Sequence, residues 1–189
     1  MSNSVITPRV DASRWDARFP FDLLVAYEDR QTRNRALHLY DHLAQQLLED
    51  YDFQCTWWKF GLFSDDVIRR QSADAALDAN MVILSLHAAE NISTTQTLWL
   101  HDWTHRRRHR KAALVTLIAG VNDPEKEAPR MVASLREAAR IGGMDFFPHA
   151  FGLPLPDASQ ASQEEQAAKP MLQDILHHKM PAPRWGINE

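Results

Sequence analysis

The sequence alternates between short apolar runs and longer segments in which apolar residues recur three and four positions apart. The short runs are typical of strands, and they occupy residues 23–27, 53–58, 81–86, 113–119 and 144–150. The segments between them have the periodicity of amphipathic helices. Because each helix-length segment joins one strand to the next, we expect parallel pairing and right-handed crossovers. The pattern therefore predicts an α/β fold with a doubly wound, five-stranded parallel sheet.

The first, third and fourth of these strands read as continuous apolar runs, which is expected of strands covered on both faces. We therefore place them at the centre and predict the strand order 2-1-3-4-5. The first helix carries an apolar stripe that includes Leu37, Tyr40, Ala44 and Leu47, with Thr32 or Asn34 as its N-cap. Two further helices are expected to start near residues 64–65 and 93. A fourth follows residues 122–124 and ends at Gly142-Gly143.

Three segments are predicted along the chain. Residues 1–20 form an N-terminal arm, residues 21–151 the α/β domain, and residues 152–189 a linker, a short helix and an extended tail. Leu172, Ile175 and Leu176 lie on one side of that short helix. Together with Trp185 they are candidates for contact with a protein partner or a second copy of the chain.

Charge and composition exclude several classes of function. A net charge of -4 disfavours binding to nucleic acid, and the basic run at 106–111 is interpreted as a solvated helix end. A single cysteine and the lack of a signal peptide indicate the cytoplasm. Apolar runs are far shorter than the ~20 residues needed to span a membrane. His101, His105 and His109 share a helix face, but nothing obvious completes a metal site, so no metal is predicted.

Ligands of open α/β sheets bind outside the carboxyl ends of the strands, where the strand order reverses. Here this point lies between the first and third strands, and the loops after them supply the candidate site. Simple solvation of these charged loops is the competing interpretation. The candidate ligand-binding residues are Tyr27, Glu28, Asp29, Arg30, Arg33, Ser85, His87 and Glu90.

The chemistry of these loops argues against several familiar sites. No glycine lies between Tyr27 and Arg33, so the backbone does not form a glycine-rich phosphate loop and no cofactor is predicted. Ser85 and His87 suggest a hydrolase, but Leu84-Ser85-Leu86 lacks the glycines of a nucleophile elbow.

The segment FDLLVAYED at 21–29 resembles the opening box of Toll/interleukin receptor (TIR) and SEFIR domains, and ALDANMVILSL is similar to their third strand. The similarity covers residues 21 to about 100. It implies a flavodoxin-like or TIR-like architecture. Members that cleave NAD carry a glutamate early in the helix after the third strand, and residues 93–99 contain none.

The resemblance therefore implies a non-enzymatic cytoplasmic module for interaction or signalling. The alternative is an N-glycosidase or transferase that processes a nucleotide or NAD in the crevice. In that alternative, Glu90 or Glu28 is the catalytic carboxylate, because a carboxylate stabilises an oxocarbenium-like sugar.

Overall fold

A computed structural model describes residues 19–47, 51–107 and 111–151. The strands are β1 (Phe19–Tyr27), β2 (Tyr51–Lys59), β3 (Met81–His87), β4 (Ala113–Ala119) and β5 (Asp145–Phe151). The helices are α1 (Arg30–Leu47), α2 (Asp66–Asp78), α3 (Thr94–Thr104), α4 (Pro124–Glu127) and α5 (Pro129–Ile141). A 3-10 turn, Phe60–Leu62, follows β2.

All strand pairs are parallel, and the order across the sheet is β2-β1-β3-β4-β5. The predicted doubly wound fold and its strand order are therefore confirmed. β4 is buried at every position, and β3 at every position but the last, as expected for strands covered on both faces.

Two apolar layers cover the sheet. On one face, Ala36, Leu39 and Leu43 of α1 pack against apolar side chains of β1, β3 and β4. On the other face, α2, α3 and α5 pack around the buried rings of Trp99 and Trp103. Successive side chains of a strand point to opposite faces, so the central strands contribute to both layers. α1 and α3 thus follow neighbouring strands but lie on opposite sides of the sheet.

Local details differ from the sequence-based expectations. The buried stripe of α1 is centred on Ala36, Leu39 and Leu43, with Tyr40 and Leu47 at its margin. α1 begins at Arg30, so its N-cap is Asp29 and not Thr32 or Asn34.

The predicted fourth helix is two helices, α4 and α5, separated at Ala128. Proline at 129 explains the break, because it disfavours helical backbone at the residue before it. The predicted end at Gly142-Gly143 is confirmed, and Gly143 has a φ of 64°.

Some predictions fall on residues that the structure does not describe. The arm before residue 19, the linker after residue 151, and the apolar tail residues Leu172, Ile175, Leu176 and Trp185 all lie outside the described ranges. Within those ranges, no helix combines the length and apolar character needed to cross a membrane.

Candidate functional site

The candidate site lies at the carboxyl ends of β1 and β3. These ends are adjacent in the sheet, where Tyr27 is level with Ser85. Only Glu28 and Asp29 separate β1 from α1, which covers one face, whereas α3 follows β3 and covers the other. The strand order reverses here, so this is the position at which open α/β sheets bind ligands.

Hydrogen bonds within the chain engage backbone amides at the N-terminus of α1. The Thr32 hydroxyl accepts hydrogen bonds from the backbone amides of Glu28 (3.1 Å) and Asp29 (2.9 Å). The Asp29 carboxylate in turn accepts one from the Thr32 amide at 2.9 Å. Helix N-termini bind anions through free amides of this kind. At α1, these contacts engage the amide of the N-cap residue Asp29 and the amide of Thr32 in the first turn.

Glu28 connects β1 to β3 and α3. One carboxylate oxygen accepts a hydrogen bond from the His87 backbone amide at 2.6 Å. The other accepts one from the Gln96 side-chain amide at 2.8 Å. Gln96 is buried, and its own carbonyl oxygen accepts from the Ser93 amide in a capping box. Glu28 is therefore a structural acceptor with both oxygens engaged.

Asp29 and His87 form an ion-pairing contact that solvent can reach. His87 Nε2 lies 2.8 Å from Asp29 Oδ2, and the two side chains are 42% and 49% exposed. Burial raises the pKa of Asp29, but hydrogen bonds from Thr32 and His87 outweigh it and bring the pKa to about 2. Asp29 is thus an anion at neutral pH, and an anionic oxygen only accepts hydrogen bonds. His87 Nε2 therefore carries the proton, which leaves Nδ1 with the lone pair in the neutral ring.

The other predicted site residues are distributed around this pair. Tyr27 packs toward Trp57 on the α1 face, and the Arg33 guanidinium lies 5.5 Å from the Trp57 ring centre. Ser85 is buried, and its hydroxyl donates to the Thr32 carbonyl at 2.8 Å. The side chains of Tyr27 and Ser85 are therefore engaged within the protein, whereas those of Asp29 and His87 are open to solvent.

Arg30 and Glu90 are both exposed, but their surroundings differ. Arg30 is the first residue of α1 and makes no ion pair within the described part of the chain. Glu90 forms an ion pair with Arg130 of α5. Among the predicted residues, both Glu28 and Asp29 thus contact His87, whereas Glu90 pairs with Arg130.

The remaining chemically notable groups lie elsewhere. The exposed rings of His101 and His105, at the end of α3, lie 4.7 Å apart between centres and are tilted by 57°, while His109 is outside the described residues. No cluster of three or more metal-ligating side chains occurs in the described ranges. Burial raises the pKa of the Cys55 thiol to about 12, so it is not a thiolate nucleophile at neutral pH.

One residue of the basic run has a structural role that the sequence analysis missed. Arg107 is buried, and its guanidinium donates to the carbonyls of Ala76 and Ala79, both at 2.7 Å, at the end of α2. Arg106 forms an ion pair with Asp74. The interpretation of residues 106–111 as a wholly solvated helix end is therefore wrong for Arg107.

The architecture around this site is that of the flavodoxin-like class of α/β proteins. Two similar solved structures are an NADH:FMN oxidoreductase in its apo form and a short-chain flavodoxin associated with a bacterial microcompartment. The first has a TM-score of 0.53 and 13% identity, covering 82% of this chain and 89% of that one. The second has a TM-score of 0.52 and 11% identity, covering 82% and 98%. No protein-family model matches the sequence, and no curated protein is similar enough to count as a relative.

These findings correct the expected function. The structural matches are flavodoxin-like proteins, so the resemblance to TIR and SEFIR domains is unconfirmed and the expected non-enzymatic signalling module is wrong. The N-glycosidase or transferase alternative fits no better. Both oxygens of Glu28 accept hydrogen bonds from the protein, and Glu90 is paired with Arg130 on the surface.

Flavodoxin-like sheets place FMN at the junction of the first and third strands, so its fit depends on the residues there. A phosphate at the start of α1 would meet the carboxylates of Glu28 and Asp29, and the Thr32 hydroxyl already occupies the backbone amides of these two residues. The loops at 88–93 and 120–123 contain no aromatic residue for a flat ring to stack on. The described residues therefore do not fit FMN bound through its phosphate.

Proposed function

We propose that the protein is an enzyme that acts on a small molecule at the carboxyl ends of β1 and β3, with His87 as general base. The observation that carries this proposal is the Asp29–His87 pair, joined at 2.8 Å and open to solvent at the ligand-binding position of the fold. Catalytic bases are typically histidines held by a third group, and a carboxylate is the common choice.

The roles follow from the protonation states. The Asp29 carboxylate fixes the ring by accepting a hydrogen bond from Nε2–H, and it stabilises the imidazolium once the ring has taken up a second proton. Nδ1 then abstracts that second proton from water or from the substrate. Arg30, exposed beside Asp29, is available to contact the substrate.

The proposed reaction class is hydrolysis by an activated water. Ser85 and Cys55 are poor nucleophiles in this fold, because the Ser85 hydroxyl is buried and bonded to Thr32 and the pKa of Cys55 is about 12. Direct attack by water assisted by His87 requires neither of them. An activated ester such as p-nitrophenyl acetate is therefore a suitable first probe, since it needs only a base and a water.

The test compares the esterase rate of the wild-type protein with those of H87N and H38N. His38 is an exposed histidine of α1 and reports background hydrolysis by surface imidazoles. We expect H87N to lose about a hundredfold of the rate, the low end of what a general base contributes, and H38N to retain it. An equal rate in H87N and wild type contradicts the proposal.

A flavin-dependent redox function is the second candidate, and the fold of the two matched structures supports it. Because the start of α1 is acidic and some of its amides are already engaged, riboflavin is the form to test beside FMN. Quenching of flavin fluorescence during titration measures both. The H87W substitution places a larger ring at the candidate site and should displace the flavin ring. Binding of either flavin to the wild type that is lost in H87W supports the redox function. An absence of quenching for both at millimolar protein removes it.

A further inference from the structure

We infer that Glu28 is a positioning residue that holds the main chain of His87 in place and couples it to the start of α3. This inference deepens the proposed function and rests on it, since His87 is the base in that proposal. The adjacent residues Glu28 and Asp29 hold different parts of His87. Glu28 accepts from the backbone amide of His87 at 2.6 Å, and Asp29 accepts from its ring at 2.8 Å.

The contact geometry indicates more than a chance surface pairing. A hydrogen bond from an amide to a carboxylate is charge-assisted and about twice as strong as a neutral one. The contact spans 59 residues of sequence and joins the ends of two neighbouring strands. Fixing the backbone of His87 limits the positions its ring can adopt, so Asp29 needs to hold only the ring angle.

The second oxygen of Glu28 extends this control to α3. It accepts from the Gln96 side-chain amide, and Gln96 accepts from the Ser93 amide that opens the helix. In this series of hydrogen bonds, every donor faces an acceptor. The series is satisfied by a carboxylate at position 28 with an amide at position 96. It is also satisfied when the amide is at position 28 and the carboxylate at position 96.

Glu28→Gln breaks this order because its amide offers one acceptor to two donors. Either His87 or Gln96 then faces an N–H group, or Gln96 flips and the mismatch moves to Ser93. Gln96→Glu breaks it differently, since two carboxylates then face each other. The double variant E28Q/Q96E restores every pair. Its side-chain amide at position 28 accepts from His87 and donates to the carboxylate at position 96, which still caps Ser93.

The experiment uses the full chain and four variants: E28Q, Q96E, E28Q/Q96E, and E137Q. Glu137 pairs with Arg140 on α5, so E137Q removes one negative charge away from the site. The readouts are hydrogen exchange of the His87 backbone amide, the ring 15N shifts of His87, and the rate with p-nitrophenyl acetate. The ring shifts report which nitrogen holds the proton, which a purely structural role of Glu28 would leave unchanged.

We expect about tenfold faster exchange at His87 in E28Q, equivalent to the loss of one net hydrogen bond. We also expect altered ring shifts and a reduced rate in both single variants. E28Q/Q96E should return toward wild type in all three readouts, and E137Q should match wild type. If a single variant fails to fold, recovery of folding in E28Q/Q96E is itself the rescue.

Two results overturn the inference: unchanged His87 exchange and ring shifts in E28Q, or a double variant no closer to wild type than the singles. The NMR readouts do not depend on turnover. An inactive wild-type protein whose His87 signals still respond to E28Q refutes the proposed reaction while supporting the role of Glu28. An active protein indifferent to E28Q does the opposite.

Discussion

The Thr32 side chain engages two backbone amides at the start of α1. It is fully buried, and its hydroxyl accepts from two backbone amides while it donates toward Asp29. A buried donor that loses its acceptor costs about 1–3 kcal/mol. These hydrogen bonds therefore contribute to the local stability at the start of α1.

Thr32→Ala is expected to lower the free energy of unfolding by about 2–3 kcal/mol, because two amides lose their acceptor and a small cavity forms. Thr32→Ser keeps the hydroxyl and should cost less than half as much. Urea denaturation of both variants measures the difference. Equal losses in the two variants would assign the effect to the methyl group and not to the hydroxyl.

Asp29 predicts a specific pH dependence. Its pKa falls from 3.8 to about 2 on folding, so it stabilises the folded state above pH 3.8 and this contribution disappears as the pH drops through about 2. Asn is as good an N-cap as Asp, so Asp29→Asn removes mainly the charge. We expect the stability difference between wild type and D29N to shrink as the pH falls below about 4. Urea midpoints across that range test it, and a difference that does not shrink contradicts the lowered pKa.

At the scale of the elements, the sequence predicted what depends on local periodicity and missed what depends on distant pairing. The five strands and their order follow from the alternation of apolar runs and helical segments. The link from Glu28 to Gln96 spans 68 residues and leaves no local pattern. The spacing Ser93-x-x-Gln96 was nevertheless a readable capping box, and it would have identified Gln96 as an ordered residue.

An aromatic cluster packs α3 against the segment that follows β2. The buried Trp99 ring stacks on Phe63 with 5.3 Å between centres and contacts Phe60 and Trp103 edge-on or tilted at 5.7 and 5.5 Å. Its Nε1 has no hydrogen-bond partner within the described residues. Trp99 therefore stabilises the fold through the packing of its ring, and its N–H group adds no hydrogen bond to the stability.

Trp99→Ala is expected to cost about 3–5 kcal/mol, the usual range for removing a large buried ring. Trp99→Phe keeps an aromatic ring against Phe63 and loses no hydrogen bond, so it should cost about a third of that. Chemical denaturation followed by circular dichroism compares the two. A Phe variant as unstable as the Ala variant would indicate that the indole N–H has an acceptor after all.

The whole molecule is best understood through its central strands, which carry buried side chains on both faces. Val25, Ile83 and Val115 face α1, while Leu24, Leu84 and Leu114 face α2, α3 and α5. A substitution that weakens packing on one face therefore also affects the strands against which the helices of the other face pack. At the candidate site, α1 and α3 approach the same two strands from opposite faces.

Leu43→Ala tests this coupling, because Leu43 of α1 is completely buried and belongs to the layer on the α1 face of the sheet. The substitution should cost about 2–5 kcal/mol. If the two layers unfold together, the slowest-exchanging amides of β4 and of α3 lose the same free energy of protection, although α3 lies on the far face. Leu98→Ala is the matched control, since Leu98 of α3 is 47% exposed and its loss should change stability by less than about 0.5 kcal/mol. Native-state hydrogen exchange of both variants tests this expectation. If L43A lowers the protection of α1 and β4 but leaves that of α3 unchanged, the two layers open independently. The candidate site is then held from one face only.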